Sequence, residues 1–356
     1  MTFYKLTHIN NLVSKDRVPK APSVQQVGGI INIAGVIGLT VLLNKKTNNK
    51  VFLFYDDHEN MNYCSNSQHF INELLESLIG NSNEYMLILE EPFVENYDKI
   101  QVLWDNVTHL CLFRDFYSKI IKKCSKDSIC NGFPVDVRLV LIDISPYLDD
   151  YSNVNITLPD YFKKISYLFD VTSGPSVCVG GMPGTAGMMG MMGIPGMPGT
   201  VSNVGILTFL KKVFSSYTHT FHYKQLKKKV NAFYQEFIKD NMHSKLCDLS
   251  DNREMNYVCK YPFTDHAINN FFDEIDKLLS AIMEFYMIIL INIFKNKKKI
   301  IYAGYYHCNN LKHILSSYYG YKEIYNTGIT EQIETSDNVK SCISVPKELF
   351  LPLQYR

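Results

Sequence analysis

Residues 300–307 read IIYAGYYH, an apolar run that ends at a glycine and leads into two tyrosines and a histidine. The run Ile300–Gly304 is typical of a buried strand, and Asn309–Tyr318 follows it with the spacing of a helix. Three earlier apolar runs also predict strands: Gly38–Asn44, Val51–Tyr55 and Tyr85–Leu89. Because helical patterns alternate with these strands, we predict an α/β fold with a largely parallel central sheet flanked by helices.

Apolar residues at helical spacing predict the helices of this fold. They fall in four stretches: Gln68–Ile79, Lys99–Lys123, Leu207–Met242 and Thr264–Phe294. A further strand is predicted at Val135–Ile144, and it carries Arg138 inside an apolar run. A buried arginine needs a partner, so one expectation is a facing carboxylate. The other is an outward position on the surface.

The composition of the chain divides it into five segments. We expect a flexible arm (1–26), a first α/β half (27–173), a loop insertion rich in Gly, Met and Pro (174–205), a helical insertion with a second α/β half (206–330), and a C-terminal tail (331–356). Within the insertion, glycine falls at every third position from Gly181 to Gly199, which is the period of a collagen triple helix. Two interpretations stay open: a flexible glycine-triplet loop, and a short triple helix that would make the protein an oligomer.

Charge and composition argue against several classes of protein. Lys and Arg number 36 and Asp and Glu 35, a net charge of +1, whereas proteins whose main task is to hold nucleic acid are basic. The basic runs Lys224–Lys229 and Lys295–Lys299 are interpreted as a solvated helix face and a loop. The apolar runs Val27–Leu43 and Phe285–Phe294 are shorter than a membrane span, so no membrane partner is expected.

Cysteine usage and the first residues bear on the compartment. The chain has nine cysteines and no CxxC pair, which favours reduced thiols over a disulfide framework or a cysteine-based zinc site. The first twenty residues lack the apolar centre of a signal peptide. We therefore expect a protein that is not secreted.

Polar residues follow three of the predicted strands, at the edge where ligands bind in open α/β sheets. They are Asp56, Asp57 and His58 after the strand Val51–Tyr55, Glu90 and Glu91 after the strand Tyr85–Leu89, and His307 after the strand Ile300–Gly304. Imidazole nitrogens and carboxylate oxygens are ligands of Zn²⁺, Mn²⁺ and Fe²⁺. We therefore expect a divalent metal, of unspecified identity, held by His58, His307 and Glu90, whose bound water would be the nucleophile.

Two other interpretations of the same residues stay open. Without a metal, these side chains would act as general acid and general base. Taken singly, each group is also what a solvated loop after a strand carries.

At these residues the sequence resembles the TIKI/TraB and ChaN/erythromycin-esterase-like superfamily, and also uncharacterised proteins of giant, mimivirus-like viruses. Gly304-x-x-His307 matches the late Gly-x-x-His motif of that superfamily. Glu90 or Glu91 matches the acid of the second strand, with Glu90 preferred as the first after the apolar run, and Arg138 matches the basic residue of the superfamily. The resemblance covers residues 38–144 and 264–326.

This resemblance implies an α/β protein that is a metal-dependent hydrolase acting on a peptide or a small molecule. In this picture Glu90 is a ligand or general base, Asp57 supports His58, and Arg138 holds a carboxylate or stabilises developing negative charge. A viral source implies a location in the host cytoplasm or in the virion. The alternative is a catalytically inactive viral protein, structural or host-interacting, that retains the fold.

Overall fold

The computed structural model describes ten parts of the chain: residues 29–57, 60, 62–67, 69–80, 84–92, 132–138, 158–171, 203–238, 266–331 and 339–350. The predicted arm, the predicted helix at 99–123, and the glycine triplets at 181–201 lie outside these residues. The chain forms two compact units. One comprises residues 1–91, 104–136 and 287–356, and the other comprises residues 92–103 and 137–286.

The helices and strands of the described residues follow one another in a mixed order. They are β1 (Ile30–Ala34), β2 (Gly38–Asn44), β3 (Asn49–Asp56), β4 (His69–Phe70), α1 (Ile71–Gly80), β5 (Tyr85–Pro92), β6 (Gly132–Asp136), α2 (Leu158–Phe169), α3 (Asn203–Ser215), α4 (Phe221–Ile238), α5 (His266–Ile293), β7 (Lys298–Gly304), α6 (Tyr305–Tyr318), β8 (Tyr321–Gly328), β9 (Cys342–Pro346) and a 3-10 turn, Lys347–Phe350.

A six-stranded sheet forms the centre of the first unit, with the order β6-β5-β7-β3-β2-β8. β7 runs parallel to both β3 and β5, whereas β2 runs antiparallel to both β3 and β8. The sheet is therefore mixed, and the parallel arrangement predicted from the sequence holds for the three central strands. These strands are buried over most of their length, which explains why they read as continuous apolar runs.

A second, three-stranded sheet has the order β4-β1-β9. The apolar run Val27–Leu43, which the sequence presented as one stretch, supplies a strand to each sheet. The run changes sheets at Gly35, whose φ of 85° lies in the left-handed region that favours glycine. The Gly35 amide donates to Ser341 O at 3.0 Å. This bond holds the turn against the residue that precedes β9.

The second unit is helical in the described residues. The side chains of Phe169, Phe214, Tyr223 and Phe285 pack together with ring centroids 5.1–6.1 Å apart. The single helix predicted over Leu207–Met242 is wrong, because two helices, α3 and α4, occupy it. Thr220 lies between them, and its Oγ1 accepts from the Tyr223 amide at 3.3 Å. A threonine in this position caps the start of a helix, a local signal that the helical spacing obscured.

None of the helices in the parts of the chain described above has the length and apolar character needed to cross a membrane.

Lys299 is fully buried in β7, although the sequence placed residues 295–299 in a basic loop. Its Nζ donates to Asn49 Oδ1 at 2.6 Å, at the amino ends of β3 and β7. Burial lowers the pKa of Lys299 to about 7, because an apolar surrounding disfavours the charged ammonium. The last residue of the predicted loop is therefore an ionisable group inside the core.

The buried lysine makes stability depend on pH. Its pKa is about 7 in the folded protein and about 10.4 in an unfolded chain, so the unfolded state binds more protons between these values. The free energy of unfolding should therefore rise as pH increases above about 7, at up to about 1.4 kcal/mol per pH unit. Below pH 7 Lys299 is protonated in both the folded and the unfolded state, so the loss of stability caused by burying its charge no longer changes with pH. In Lys299→Met, the rise in the free energy of unfolding above pH 7 that Lys299 causes should be absent. Denaturant titrations of the wild type and the variant at pH 7, 8 and 9 measure this rise.

Lys322, an exposed residue of β8, provides the control. Lys322→Met should keep the pH slope of the wild type. Identical slopes for the wild type and Lys299→Met would contradict the buried, depressed lysine.

Gly328 ends β8 where the chain passes very close to the backbone of Ile37. Its φ is 75°, and an added Cβ would clash with Ile37 O, the atom that accepts from the Ile329 amide at 2.8 Å. Gly320 has a similar φ of 70° but open space at the Cβ position. Alanine at Gly320 would therefore meet only the cost of the left-handed backbone conformation, whereas alanine at Gly328 would meet that cost and a steric clash as well.

Gly320→Ala should lower the free energy of unfolding by about 1–2 kcal/mol, the cost of a left-handed conformation alone. Gly328→Ala should cost at least about 2 kcal/mol more, because the backbone hydrogen bond must also move. Chemical denaturation of both variants measures the difference. Equal losses would mean that the chain does not approach Ile37 closely at this point.

Candidate functional site

The carboxyl ends of β3, β5 and β7 meet at one edge of the six-stranded sheet, because these neighbouring strands are parallel. Asp56 of β3 pairs in register with Gly304 of β7, and Leu89 of β5 pairs with Tyr302. The acids that follow Leu89 therefore reach the same edge as Asp56. This edge is the general location of ligand sites in open α/β sheets.

Strand alternation sends the acids of this edge to opposite faces of the sheet. Glu91 lies on the same face as Leu89, and the register places Tyr302 and Asp56 on that face as well. Glu90 lies on the other face, where α6 packs against β3 and β7. The edge thus carries two separate groups of polar side chains, one on each face.

On the face covered by α6, Glu90 contacts His307. Glu90 Oε1 lies 3.3 Å from His307 Nε2, and only 5% of the glutamate side chain and 10% of the histidine side chain are exposed. The second carboxylate oxygen, Oε2, accepts from the Gly304 amide at 2.7 Å. One carboxylate therefore joins the end of β5 to the end of β7 and to the first turn of α6.

The position of Glu90 suits the start of α6. Gly304 is the N-cap of this helix and, having no side chain, it supplies no capping hydrogen bond. The first amides of a helix need acceptors, and the positive end of its dipole favours negative charge. Glu90 provides both from a strand that lies 214 residues earlier in the chain.

Cys308 fixes α6 on the sheet next to this pair. Its buried Sγ donates to Phe54 O at 3.2 Å and to Ala303 O at 3.4 Å. The Tyr305 ring lies 5.9 Å from the buried Tyr55 ring. The helix turn that presents His307 is thus anchored to β3 and β7 on both sides of the histidine.

On the opposite face, Tyr302 lies among the second set of acids. Asp56 and Glu91 are 1% and 4% exposed, and the Tyr302 hydroxyl donates to Gly35 O at 3.1 Å. Burial raises the pKa of Tyr302 well above the usual value for tyrosine, and the charge and hydrogen bond of Asp56 and the charge of Glu91 raise it further. Tyr302 therefore keeps its proton, and Asp56 is its hydrogen-bonding partner among these acids.

The residues predicted from the sequence are placed in different ways. His307 and Glu90 come together, while His58 lies outside the described residues. Asp57 follows the end of β3, where it is half-buried and its carbonyl accepts from the Asn60 amide at 2.9 Å.

Arg138 departs from its predicted setting. The predicted strand at Val135–Ile144 is wrong at Arg138, since β6 ends at Asp136 and Arg138 is helical. A short apolar run fits a buried strand and a buried helical segment equally well, and the sequence offered no further distinction. Arg138 also belongs to the second unit, whereas Glu90 and His307 belong to the first.

The residues that sequence reasoning did not select are Tyr302 and the Gly304 amide. Tyr302 was read as one more apolar residue of a strand, although its place two residues before the strand end puts it on the face of Asp56. Strand alternation counted back from Gly304, the end of the predicted strand, could have indicated it. A backbone amide leaves no signal in a sequence.

The described residues form no group of three or more His, Cys, Asp or Glu side chains that could hold a metal ion. The Glu90–His307 pair supplies two possible ligand atoms, Oε1 and Nε2, whose separation of 3.3 Å is one that two ligands of a tetrahedral ion have. A site that used both residues as ligands would need a further ligand such as His58.

Comparison with known proteins adds no relative. The chain matches no protein-family model, no curated protein and no solved structure.

The Glu90 carboxylate should contribute strongly to stability, because its loss leaves two buried donors without this acceptor. Glu90→Leu should lower the free energy of unfolding by about 2–6 kcal/mol, because each buried donor left without its acceptor costs about 1–3 kcal/mol. Glu84→Leu is the matched control, because Glu84 precedes the other end of β5 and forms a half-exposed pair with Lys298 at 2.9 Å. The control should cost no more than about 1 kcal/mol. Similar losses in both variants would contradict the capping role of Glu90.

Proposed function

We propose that the protein is a hydrolase in which Glu90 and His307 form the acid–base pair. The observation that supports this proposal is their contact of 3.3 Å, nearly buried, at the carboxyl ends of β5 and β7. A histidine held by a carboxylate is a common general base, because the carboxylate orients the ring and stabilises the imidazolium that forms.

The contact assigns a task to each ring nitrogen. In neutral His307, a proton on Nε2 would be donated to Glu90 Oε1, which leaves the lone pair on Nδ1. Nδ1 is then the atom that takes a proton from an attacking water and returns it to the leaving group. Glu90 is held in turn by the Gly304 amide, so the orientation of the pair depends on the start of α6.

The metal-dependent form of this proposal requires further side chains at the same edge of the sheet. His58 and His307 would hold the ion with Glu90, and Asp57 would support His58. The ion would lower the pKa of its bound water and so supply the nucleophile. The substrate in either form is a peptide or a small molecule.

Hydrolysis of a panel of chromogenic esters and fluorogenic peptides tests the proposal. The wild type should hydrolyse at least one of them, and Glu90→Gln should lower kcat/KM by about 10²–10⁴-fold while the protein stays folded. Glu84→Gln, at the opposite end of β5, should retain full activity. A wild type that hydrolyses none of the panel, or a Glu90→Gln variant as active as the wild type, would remove the proposal.

Elemental analysis of the same preparations separates the two forms. The metal-dependent form predicts a stoichiometric ion that is lost in both His58→Ala and His307→Ala. Hydrolysis that persists in metal-free protein treated with a chelator supports the form without metal.

A second candidate function is a non-catalytic one, in which the protein is a structural or host-interacting viral component. The observation that favours it is the capping of α6 by Glu90, which gives the Glu90–His307 pair a complete structural task. This candidate predicts that Glu90→Gln changes stability and that no substrate is hydrolysed.

A further inference from the structure

Cys64 and Cys342 form a disulfide that joins two parts of the chain 278 residues apart. Cys64 lies in the segment Asn62–Ser67, which precedes β4, and Cys342 is the first residue of β9. Their Cα atoms are 5.8 Å apart, within the range that a disulfide spans without backbone movement. Reduced thiols were expected throughout the chain, so this pair is a departure from the sequence prediction.

Hydrogen bonds beside the sulfur atoms join the same two parts of the chain. The Ser341 amide donates to Asn62 O at 2.9 Å, and Asn60 Nδ2 donates to Val339 O at 2.9 Å. The cross-link therefore closes an interface that the backbone already forms. Both cysteines are half-buried, which leaves them within reach of a small thiol.

A chain of hydrogen bonds connects the cross-linked segment to the sheet edge. The Ser341 residue that donates to Asn62 O also accepts from the Gly35 amide at 3.0 Å, and Gly35 O accepts from the Tyr302 hydroxyl at 3.1 Å. Tyr63, next to Cys64, packs its ring on Phe70 with centroids 5.1 Å apart. Burial and the Asp56 carboxylate raise the pKa of Tyr63, which agrees with this placement. The segment therefore lies on the side of the edge that carries Asp56 and Tyr302.

The two partners of the cross-link are anchored very differently. β9 pairs with β1 through five successive residues, from Ile30↔Pro346 to Ala34↔Cys342. In the segment, Asn62, Ser65 and Asn66 are exposed, and among the described residues a single backbone hydrogen bond, from the Ser341 amide to Asn62 O, joins it to the chain before β9. Loss of the disulfide would therefore release the segment and leave the β1–β9 ladder in place.

We propose that the Cys64–Cys342 disulfide is a reversible redox clasp that fixes the segment Asn62–Ser67 over Asp56 and Tyr302 when oxidised and releases it when reduced. This device is independent of the Glu90–His307 chemistry, which lies on the other face of the sheet. When the segment is released in the reduced form, Asp56 and Glu91 become accessible to solvent and to ligands.

A dithiol is the reductant that completes the reaction. One of its thiolates attacks a sulfur of the disulfide, the Cys64–Cys342 bond breaks, and the departing cysteine leaves as a thiolate that takes up a proton. The second thiol of the reductant then attacks the mixed disulfide and releases the other cysteine. Two electrons and two protons pass to the protein, and the dithiol becomes a cyclic disulfide.

Alkylation and hydrogen exchange, both read by mass spectrometry on the full chain, test the clasp. Without reductant, Cys64 and Cys342 should resist iodoacetamide and their peptides should remain linked. After dithiothreitol, both should be alkylated, and amide exchange in 62–67 should accelerate at least about tenfold. Exchange in the β1–β9 ladder should stay unchanged.

Three variants define the outcomes. Cys342→Ser should show the fast exchange of the reduced protein without any reductant, and Cys64→Ser should match it. Cys308→Ser, a change at a buried cysteine outside the disulfide, should keep the redox response. Alkylation of both cysteines before reduction would overturn the proposal, as would reduction that either leaves the segment protected or exposes β1 and β9 equally.

Discussion

The contact of the Glu90 carboxylate with the Gly304 amide and His307 is the interaction on which the rest of the site depends. It is made between the end of one strand and the beginning of the helix that follows its neighbour. The parallel register of β5 with β7 brings these groups to one edge. An acid at the end of an apolar strand thus becomes the cap of a helix and the partner of a histidine.

The amino end and the carboxyl end of the parallel strands carry buried side chains of opposite charge, and each of these side chains is hydrogen-bonded. At the amino edge, Lys299 is held by the neutral side chain of Asn49, so burial acts on its pKa with little compensation. At the carboxyl edge, Glu90 meets a helix terminus and an imidazole, and its charge is favoured.

The strands that the sequence revealed are those buried on both faces. Gly38–Asn44 was predicted with the bounds of β2, and the predicted runs Val51–Tyr55, Tyr85–Leu89 and Ile300–Gly304 lie within β3, β5 and β7. β8 and β9 were not predicted, because an edge strand or a strand of a small sheet carries polar residues that interrupt an apolar pattern. β1 was hidden in a longer apolar run whose break, at Gly35, depends on a change of sheet.

The sequence indicated Glu90 and His307 of the candidate site, but it did not indicate Tyr302, the Gly304 amide or the start of α6. Glu90 and His307 were indicated because both follow buried strands, whose ends converge in an α/β fold. The helix after β7 was predicted to begin at Asn309, but α6 begins at Tyr305. The earlier start depends on a cap from a distant strand, and no local pattern records a contact of that kind.

A double-mutant cycle between Glu90 and His307 tests the central claim most directly. The free energy of unfolding is measured for the wild type, Glu90→Ala, His307→Ala and the double variant. A buried contact at 3.3 Å predicts a coupling energy of about 1–3 kcal/mol between the two residues. Additive losses, within about 0.3–0.5 kcal/mol, would show that the two side chains do not act together and would contradict the account.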